Sequence, residues 1–240
     1  RQIYGYLKNY FDKKNLVKKL NWKAIVTTGP TREYIDPIRY ISNESSGKQG
    51  YEIAIALNRL GIETTLISGP SNLSSLKGLK IKKVVSADEM LDAVKKSLPV
   101  DLAVCAAAVA DYKPAEIKKN KIKKENENLK LINFVKNNDI LEYISKNNKH
   151  RPRLVAGFSA ETENLTKNSI SKLKKKNCDL IFANDVSEKG IGFNSDYNKI
   201  SVIDKKGNIK NLSKNKKSFI ANKIANILLD KLLIDDRNIN

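Results

Sequence analysis

Cysteine is nearly absent: two in 240 residues, Cys105 and Cys178, each in an apolar or helix-end context. They build neither a disulfide framework nor a metal-binding spacing, which fits a reducing, cytoplasmic setting. The single histidine, His150, stands beside Arg151 and Pro152 in a loop-like stretch. A zinc site with several histidines is therefore excluded, and no other metal-ligating cluster is expected. No run of eighteen apolar residues exists, so no membrane-spanning helix is expected. Glycine is sparse at 11 residues, and neither glycine-rich phosphate motif is present. A P-loop would need glycine at Ser42 and Ser or Thr at Gln49 around Gly47-Lys48, and the dinucleotide fingerprint fails because Pro30 and Thr31 follow Gly29. Aromatic residues make up 7% and no nucleic-acid motif accompanies them.

Positive charge is abundant, with a formal net charge of +19. Such a balance can serve nucleic acid, membrane surfaces or small anions. Here the lysines are scattered through every segment, so most are read as solvated surface, and neither a nucleic acid nor a membrane is the expected partner. The hydrophobic content of 40% is lean but sufficient for a core, and the length suits one α/β domain or two small ones. The opening Arg1-Gln-Ile-Tyr is neither a signal peptide nor a normal initiator, and reads as the start of a piece cut from something longer.

The stretch from Gly29 to Gly50 organises the rest. It follows the apolar strand 23–28 and runs into a helix, Tyr51 to Leu60, that is apolar nearly all round. A strand, a long polar loop and a helix start make an anion site, with backbone N–H groups around Ser45, Ser46 and Gly47 facing the ligand. Arg32, Arg39 and Lys48 add charge, while Glu33, Asp36 and Asn43 can fix the geometry. The alternative is a plain surface loop.

Residues 1–20 read as a helix and linker, with Ile3, Leu7 and Phe11 at helical spacing. After the loop, strands at 63–68, 81–85, 101–105, 129–135, 153–158 and 179–185 alternate with helices, including one from Ala87 capped by Ser86. The alternation predicts an α/β, Rossmann-like, mostly parallel sheet with helices on both faces. A β-hairpin turns at Lys206-Gly207-Asn208, a last helix spans about 214–233, and a polar tail runs 235–240. The small residues Ala106, Ala107 and Ala108 after the fourth strand would let a ligand approach the backbone, with Asp111 either an acceptor there or a helix cap. The lysine-rich 113–124 reads as a mobile loop, either solvated or folding over polyphosphate.

The motifs T-G-P-T-R-E-x-I-D-P-I-R-Y-I-S-N-x-S-S-G-K-x-G, A-A-x-V-A-D-Y-K-P, K-I-K-K, N-N-D-I-L, G-F-S-A-E-T and D-L-I-F-A-N-D-V run in order from Lys23 to about Asp204. Together they resemble bacterial phosphopantothenoylcysteine synthetase, in many bacteria the second half of a bifunctional coenzyme A enzyme behind an FMN-dependent decarboxylase. The resemblance implies a 21–234 synthetase domain and a homodimer with sites at its interface. It implies ligation of cysteine to 4′-phosphopantothenate with CTP and Mg2+, through an acyl-cytidylate that releases pyrophosphate and then CMP. It further implies Asn43 and Lys121 as catalytic groups, the first for the second step and the second on a flap over the triphosphate. Arg39, Asn43, Ala107 and Ala108 would bind phosphopantothenate, with Arg39 reaching across the dimer. Gly29, Ser45, Ser46, Gly47, Ala106, Ala107, Ala108, Asp111, Lys121, Lys124, Asn138, Asp139, Ile140, Leu141, Phe158, Lys172 and Lys176 would surround the nucleotide. Pro30, Asn138 and Ser159 stand where glycine, proline and alanine are usual. The competing readings are a nucleotide-dependent oxidoreductase on the same fold and a basic nucleic-acid-binding module.

Overall fold

The computed structural model describes residues 11, 12, 14, 15, 17, 20–73, 78–123, 132–187, 192 and 195–237. In chain order the elements are β1 (Lys23–Thr28), β2 (Arg32–Tyr34), β3 (Tyr40–Ser42), α1 (Lys48–Arg59), β4 (Glu63–Ser68), β5 (Lys80–Lys83), α2 (Ala87–Lys95), β6 (Leu102–Cys105), β7 (Tyr112–Pro114), β8 (Phe134–Lys136), α3 (Ile140–Ser145), β9 (Leu154–Glu161), α4 (Leu165–Lys176), β10 (Leu180–Asp185), β11 (Tyr197–Asp204), β12 (Ile209–Lys216) and α5 (Lys217–Arg237).

Strands that alternate between two apolar faces need cover on both sides. Ala24 and Val26 of β1, Leu102 and Val104 of β6, and Leu180 and Phe182 of β10 belong to one core, which α1 and α5 cover. The intervening Ile25, Ala103 and Ile181 belong to a second core beneath α2, α3 and α4. The central sheet has the order β12-β11-β10-β9-β6-β1-β4-β5. From β10 to β5 every pairing is parallel, whereas β11 and β12 close the other edge as an antiparallel hairpin. No helix among the described residues is long and apolar enough to cross a membrane.

α1 is buried on most of its surface because it lies between the sheet and α5. A Schellman cap ends it: Ile62 N–H donates to the Leu57 carbonyl and Gly61 N–H to that of Asn58, with Gly61 at φ 98°. α2 begins on Ser86, whose hydroxyl accepts from Glu89 N–H.

Several local expectations are corrected. The 29–50 stretch is not one continuous loop, because β2 and β3 pair within it as a small hairpin. Asp111 caps no helix: the chain continues directly into β7, which pairs with β8 in another two-stranded sheet. The strand expected over 129–135 appears as β8, two residues of it inside that range, while positions 129–131 lie outside the described residues. Residues 214–216 belong to β12 and not to the last helix, since pairing with β11 carries the strand to Lys216. α5 then continues to Arg237, past the expected onset of the tail. Ile3 and Leu7 lie outside the described residues. Described positions between 11 and 20 are helical, with Val17 buried.

A Cβ on Gly50 would lie 2.5 Å from Thr28 Oγ1 and 2.8 Å from its Cβ. Gly50→Ala is therefore expected to cost about 1–3 kcal/mol through overpacking, read as a lower urea midpoint. An unchanged midpoint would mean that α1 can move off β1 without loss.

Candidate functional site

The chain leaves β1 outward to β4 and β5, then returns to β6 on the other flank and continues to β9 and β10. The sheet therefore reverses its winding between β1 and β6, and the loops leaving these two strands diverge to opposite faces. Open α/β sheets hold their ligands in the crevice this creates at the carboxyl ends of the strands.

One wall of the crevice is the start of α1. Gly47 is its N-cap, at φ 72° and with no side chain capping the helix. The Thr28 hydroxyl donates to the Gly47 carbonyl at 2.6 Å. A Cβ on Gly47 would sit 3.0 Å from the Gly29 backbone. The peptide N–H groups of the first turn are thus brought to the end of β1, where they favour an anion.

The other wall is the small-residue run after β6. Ala106 N–H donates to the Thr27 carbonyl, Ala108 N–H to that of Gly29, and Ala110 N–H to the Thr31 hydroxyl. Asn43 crosses the crevice mouth, its Nδ2 donating to the Val109 carbonyl at 3.0 Å.

Two cavities open here. The first, of about 520 Å³, is lined by Asn43, Ser45, Ser46, Gly47, Ala106–Ala108 and Asp111 among the expected residues, together with Phe158 and Lys172. The second, of about 660 Å³, is lined by Asn138–Leu141 and Lys176, and shares Ala107, Asp111, Phe158 and Lys172 with the first. Gly29 is buried and lines neither cavity.

Arg39 and Lys121 line neither cavity. Asp36, fully buried, accepts from the N–H groups of Ile38 and Arg39 at 2.9 Å and of Ile122 at 3.2 Å, and from Arg39 Nη1 at 2.8 Å. Arg39 also donates to the Ile122 carbonyl. Burial pushes the Asp36 carboxyl up, but those three amides and the Arg39 charge outweigh it and leave it below its ordinary value. Through Ile122 the segment carrying Lys121 is thus tied to the turn between β2 and β3. Lys113 is likewise ion-paired, with Asp88. Lys124 lies outside the described residues. Glu33 is structural: its carboxylate accepts from Ala87 N–H at the start of α2.

The second cavity is braced by charge. Asp139 caps α3 through Glu142 N–H. Lys176 bridges Asp139 at 2.9 Å and Glu142 at 2.8 Å, so both ends of the pairing belong to the cavity wall. Burial alone would pull the Lys176 ammonium down, but the two carboxylates hold it above its ordinary value. Cys105 also borders this cavity. Burial pushes its thiol up to about 12 and that of Cys178 up to about 11, so neither is a thiolate at neutral pH.

Several polar residues of the site were not singled out from the sequence. Asn184, Asn198 and Lys217 line the first cavity and Asn137 the second. Asn184 Oδ1 and Asn137 Oδ1 are buried without a hydrogen-bond partner, which suits a ligand that donates to them. The polar end of D-L-I-F-A-N-D was a signal for Asn184. Lys217 carried none, being one lysine in a run of polar residues.

Hydrogen bonds from Lys146 and Lys176 hold Glu142 down at about 2, against an ordinary 4.5. A depressed carboxyl stabilises fully above its unfolded value and loses that contribution as pH falls toward its folded one. Glu142→Gln is expected to be less stable by ~1 kcal/mol at pH 7, a figure reduced for solvent screening. Urea unfolding across pH should show the gap closing between pH 4.5 and about 2; a gap independent of pH would remove the ion pair as its cause.

Residues 20–232 match the family described as DNA/pantothenate metabolism flavoprotein, C-terminal domain. The chain is 40% identical over 231 residues to the "Coenzyme A biosynthesis bifunctional protein CoaBC" of Haemophilus influenzae, a match covering 96% of this chain and 56% of that protein. It thus spans little more than half the length of that relative. The crystal structure of the C-terminal domain of a CoaBC superposes with a TM-score of 0.74 at 32% identity, covering 90% of this chain and 96% of that one. A Cab2 mutant in complex with phosphopantothenate-cysteine superposes at 0.72 with 14% identity, covering 98% and 96%; that likeness is one of fold. The reversal of winding at β1 and β6, the wall of alanines and the match over residues 20–232 lead to one assignment: the chain belongs to the DNA/pantothenate metabolism flavoprotein C-terminal domain family.

Proposed function

We propose that the chain ligates L-cysteine to 4′-phosphopantothenate in coenzyme A biosynthesis, activating the carboxylate with CTP. Within this family, one observation carries the reading. The two cavities share Ala107, Asp111, Phe158 and Lys172, so a single nucleotide can lie across both. The second cavity, with the N-terminal turn of α3 and the orphaned Asn137 oxygen, offers groups for a base and ribose. The first, with the start of α1 and three lysines, Lys48, Lys172 and Lys217, offers groups for phosphates.

The first step joins the phosphopantothenate carboxylate to the α-phosphorus and expels pyrophosphate. Backbone N–H groups and lysines meet the charge that develops on the phosphates, and no general base is needed. In the second step the cysteine amine attacks the acyl carbon and CMP leaves. The Asn43 amide, held over the alanine wall by Val109, is the donor for the tetrahedral oxyanion. Among the described residues no three carboxylate, histidine or cysteine side chains converge on a metal-sized site. Mg2+ would accordingly be held mostly by phosphate oxygens, with Asp111 on the shared wall as a carboxylate for it or its waters, and would supply charge neutralisation.

A homodimer belongs to the proposal. Arg39 lines neither cavity of its own chain, and in a dimer it would serve the second copy's phosphopantothenate. The Lys121 flap role rests on the segment tied down by Asp36, with Lys121 as its reaching side chain and Lys124 further along. Fusion to an FMN-dependent decarboxylase and a cytoplasmic location complete the reading.

Pyrophosphate release with phosphopantothenate, Mg2+ and CTP, and amide formation on adding cysteine, test it; release with ATP alone would overturn the nucleotide. Asn43→Asp cannot donate, and is expected to retain pyrophosphate release while amide formation falls about a hundredfold. Product at the unmutated rate would remove Asn43 from the second step. Lys121→Gln should slow pyrophosphate release, and an unchanged rate would overturn the flap role.

A further inference from the structure

Lys217 is a buried cation that the sequence motifs did not mark and that the reading above only groups with Lys48 and Lys172 along the first cavity. It is the first residue of α5, follows β12 directly, and is only 3% exposed. Its Nζ donates to the Gly192 carbonyl at 2.8 Å. Its backbone N–H donates to the Asp196 carbonyl at 2.8 Å, and its carbonyl accepts from Gln49 Nε2 on α1 at 3.4 Å. Gln49 in turn accepts from Asn198 Nδ2 at 3.1 Å. The start of α5 is therefore fastened to the start of α1, and Lys217 is among the residues lining the first cavity.

The charges facing it come from two elements. Lys48 on α1 opposes it, and Asp196, ahead of β11, attracts it. Asp196 also takes a direct ion pair from Lys48 at 2.5 Å. Burying an ammonium beside a second one is costly, and such a group returns the cost when an anion enters beside it.

We propose that Lys217 is a binding residue for the polyphosphate of the nucleotide, and that it takes up a proton when the polyphosphate binds. The proton comes from solvent and goes to the Lys217 amine; no covalent bond to the ligand forms. Burial pulls this ammonium down to about 8, with Lys48 adding to the shift and Asp196 opposing it. Above pH 8 the empty site therefore holds largely neutral amine, and an entering anion restores the charge. This inference rests on the nucleotide reading of the preceding section.

The test is titration calorimetry of the whole protein with CTP and Mg2+ at pH 8.5, in two buffers of different ionisation heat. The CTP phosphates have already lost their protons at this pH. Wild type is expected to take up roughly half to three-quarters of a proton per CTP. Lys217→Arg, charged at every pH used, should bind without that uptake, and Lys217→Met should bind at least about tenfold more weakly at pH 7. If the Met variant, folded by circular dichroism, binds within twofold of wild type, Lys217 does not hold the polyphosphate, and if uptake persists in the Arg variant, the proton goes to another group; either result overturns the inference while the nucleotide reading still stands. If folded wild type binds neither CTP nor ATP at pH 7, the nucleotide reading falls, and this inference with it.

Discussion

The Thr28 hydroxyl bonds the Gly47 carbonyl at 2.6 Å, and the rest of the site depends on how close that contact brings α1 to β1. The approach is possible only because Gly47 and Gly50 present no side chain to Thr28 and Gly29. α1 cannot drift away, since it is buried between the sheet and α5. Hydrophobic packing supplies the force, and the hydrogen bond supplies the register. The outcome is a helix N-terminus held at the sheet's switch point, where its dipole and N–H groups face the alanine wall.

Buried charge is handled in two ways around this frame. Asp36 is wholly enclosed, yet accepts from three backbone amides and a guanidinium. It works as a rivet, holding the turn before β3 against the segment that carries Lys121. Lys217 is nearly as enclosed, but its neighbours include the like charge of Lys48, and its ammonium is left depressed. A satisfied buried charge stiffens a loop; a depressed one beside a cavity leaves a place for the opposite charge.

The high positive charge divides along the same line. Lys176 braces α3 against α4 through Asp139 and Glu142, at the wall of the second cavity, where the resemblance had set it beside the nucleotide. Lys113 and Lys118 are ion-paired with Asp88 and Glu116. Lys172 borders both cavities. Lysine count therefore says little about the site, because geometry sorts structural ammonium groups from those that meet a ligand.

Local sequence determined the parallel strands, the Ser86 cap, the Gly61 terminator and the hairpin at Gly207, since each follows from periodicity or from the conformational freedom of one residue type. The ordered motifs marked Asn43, the alanine run and the 138–141 turn as one site. The β2–β3 hairpin was hidden because three-residue strands carry no usable period, and the extension of β12 to Lys216 because its residues are polar and only the partner strand β11 makes them a strand. The division between rivet, brace and ligand-facing cation was decided by tertiary structure alone. Asp36 meets Ile122 across 86 positions and Lys48 meets Asp196 across 148, and the energy of a buried charge depends on neighbours that only the folded chain assembles.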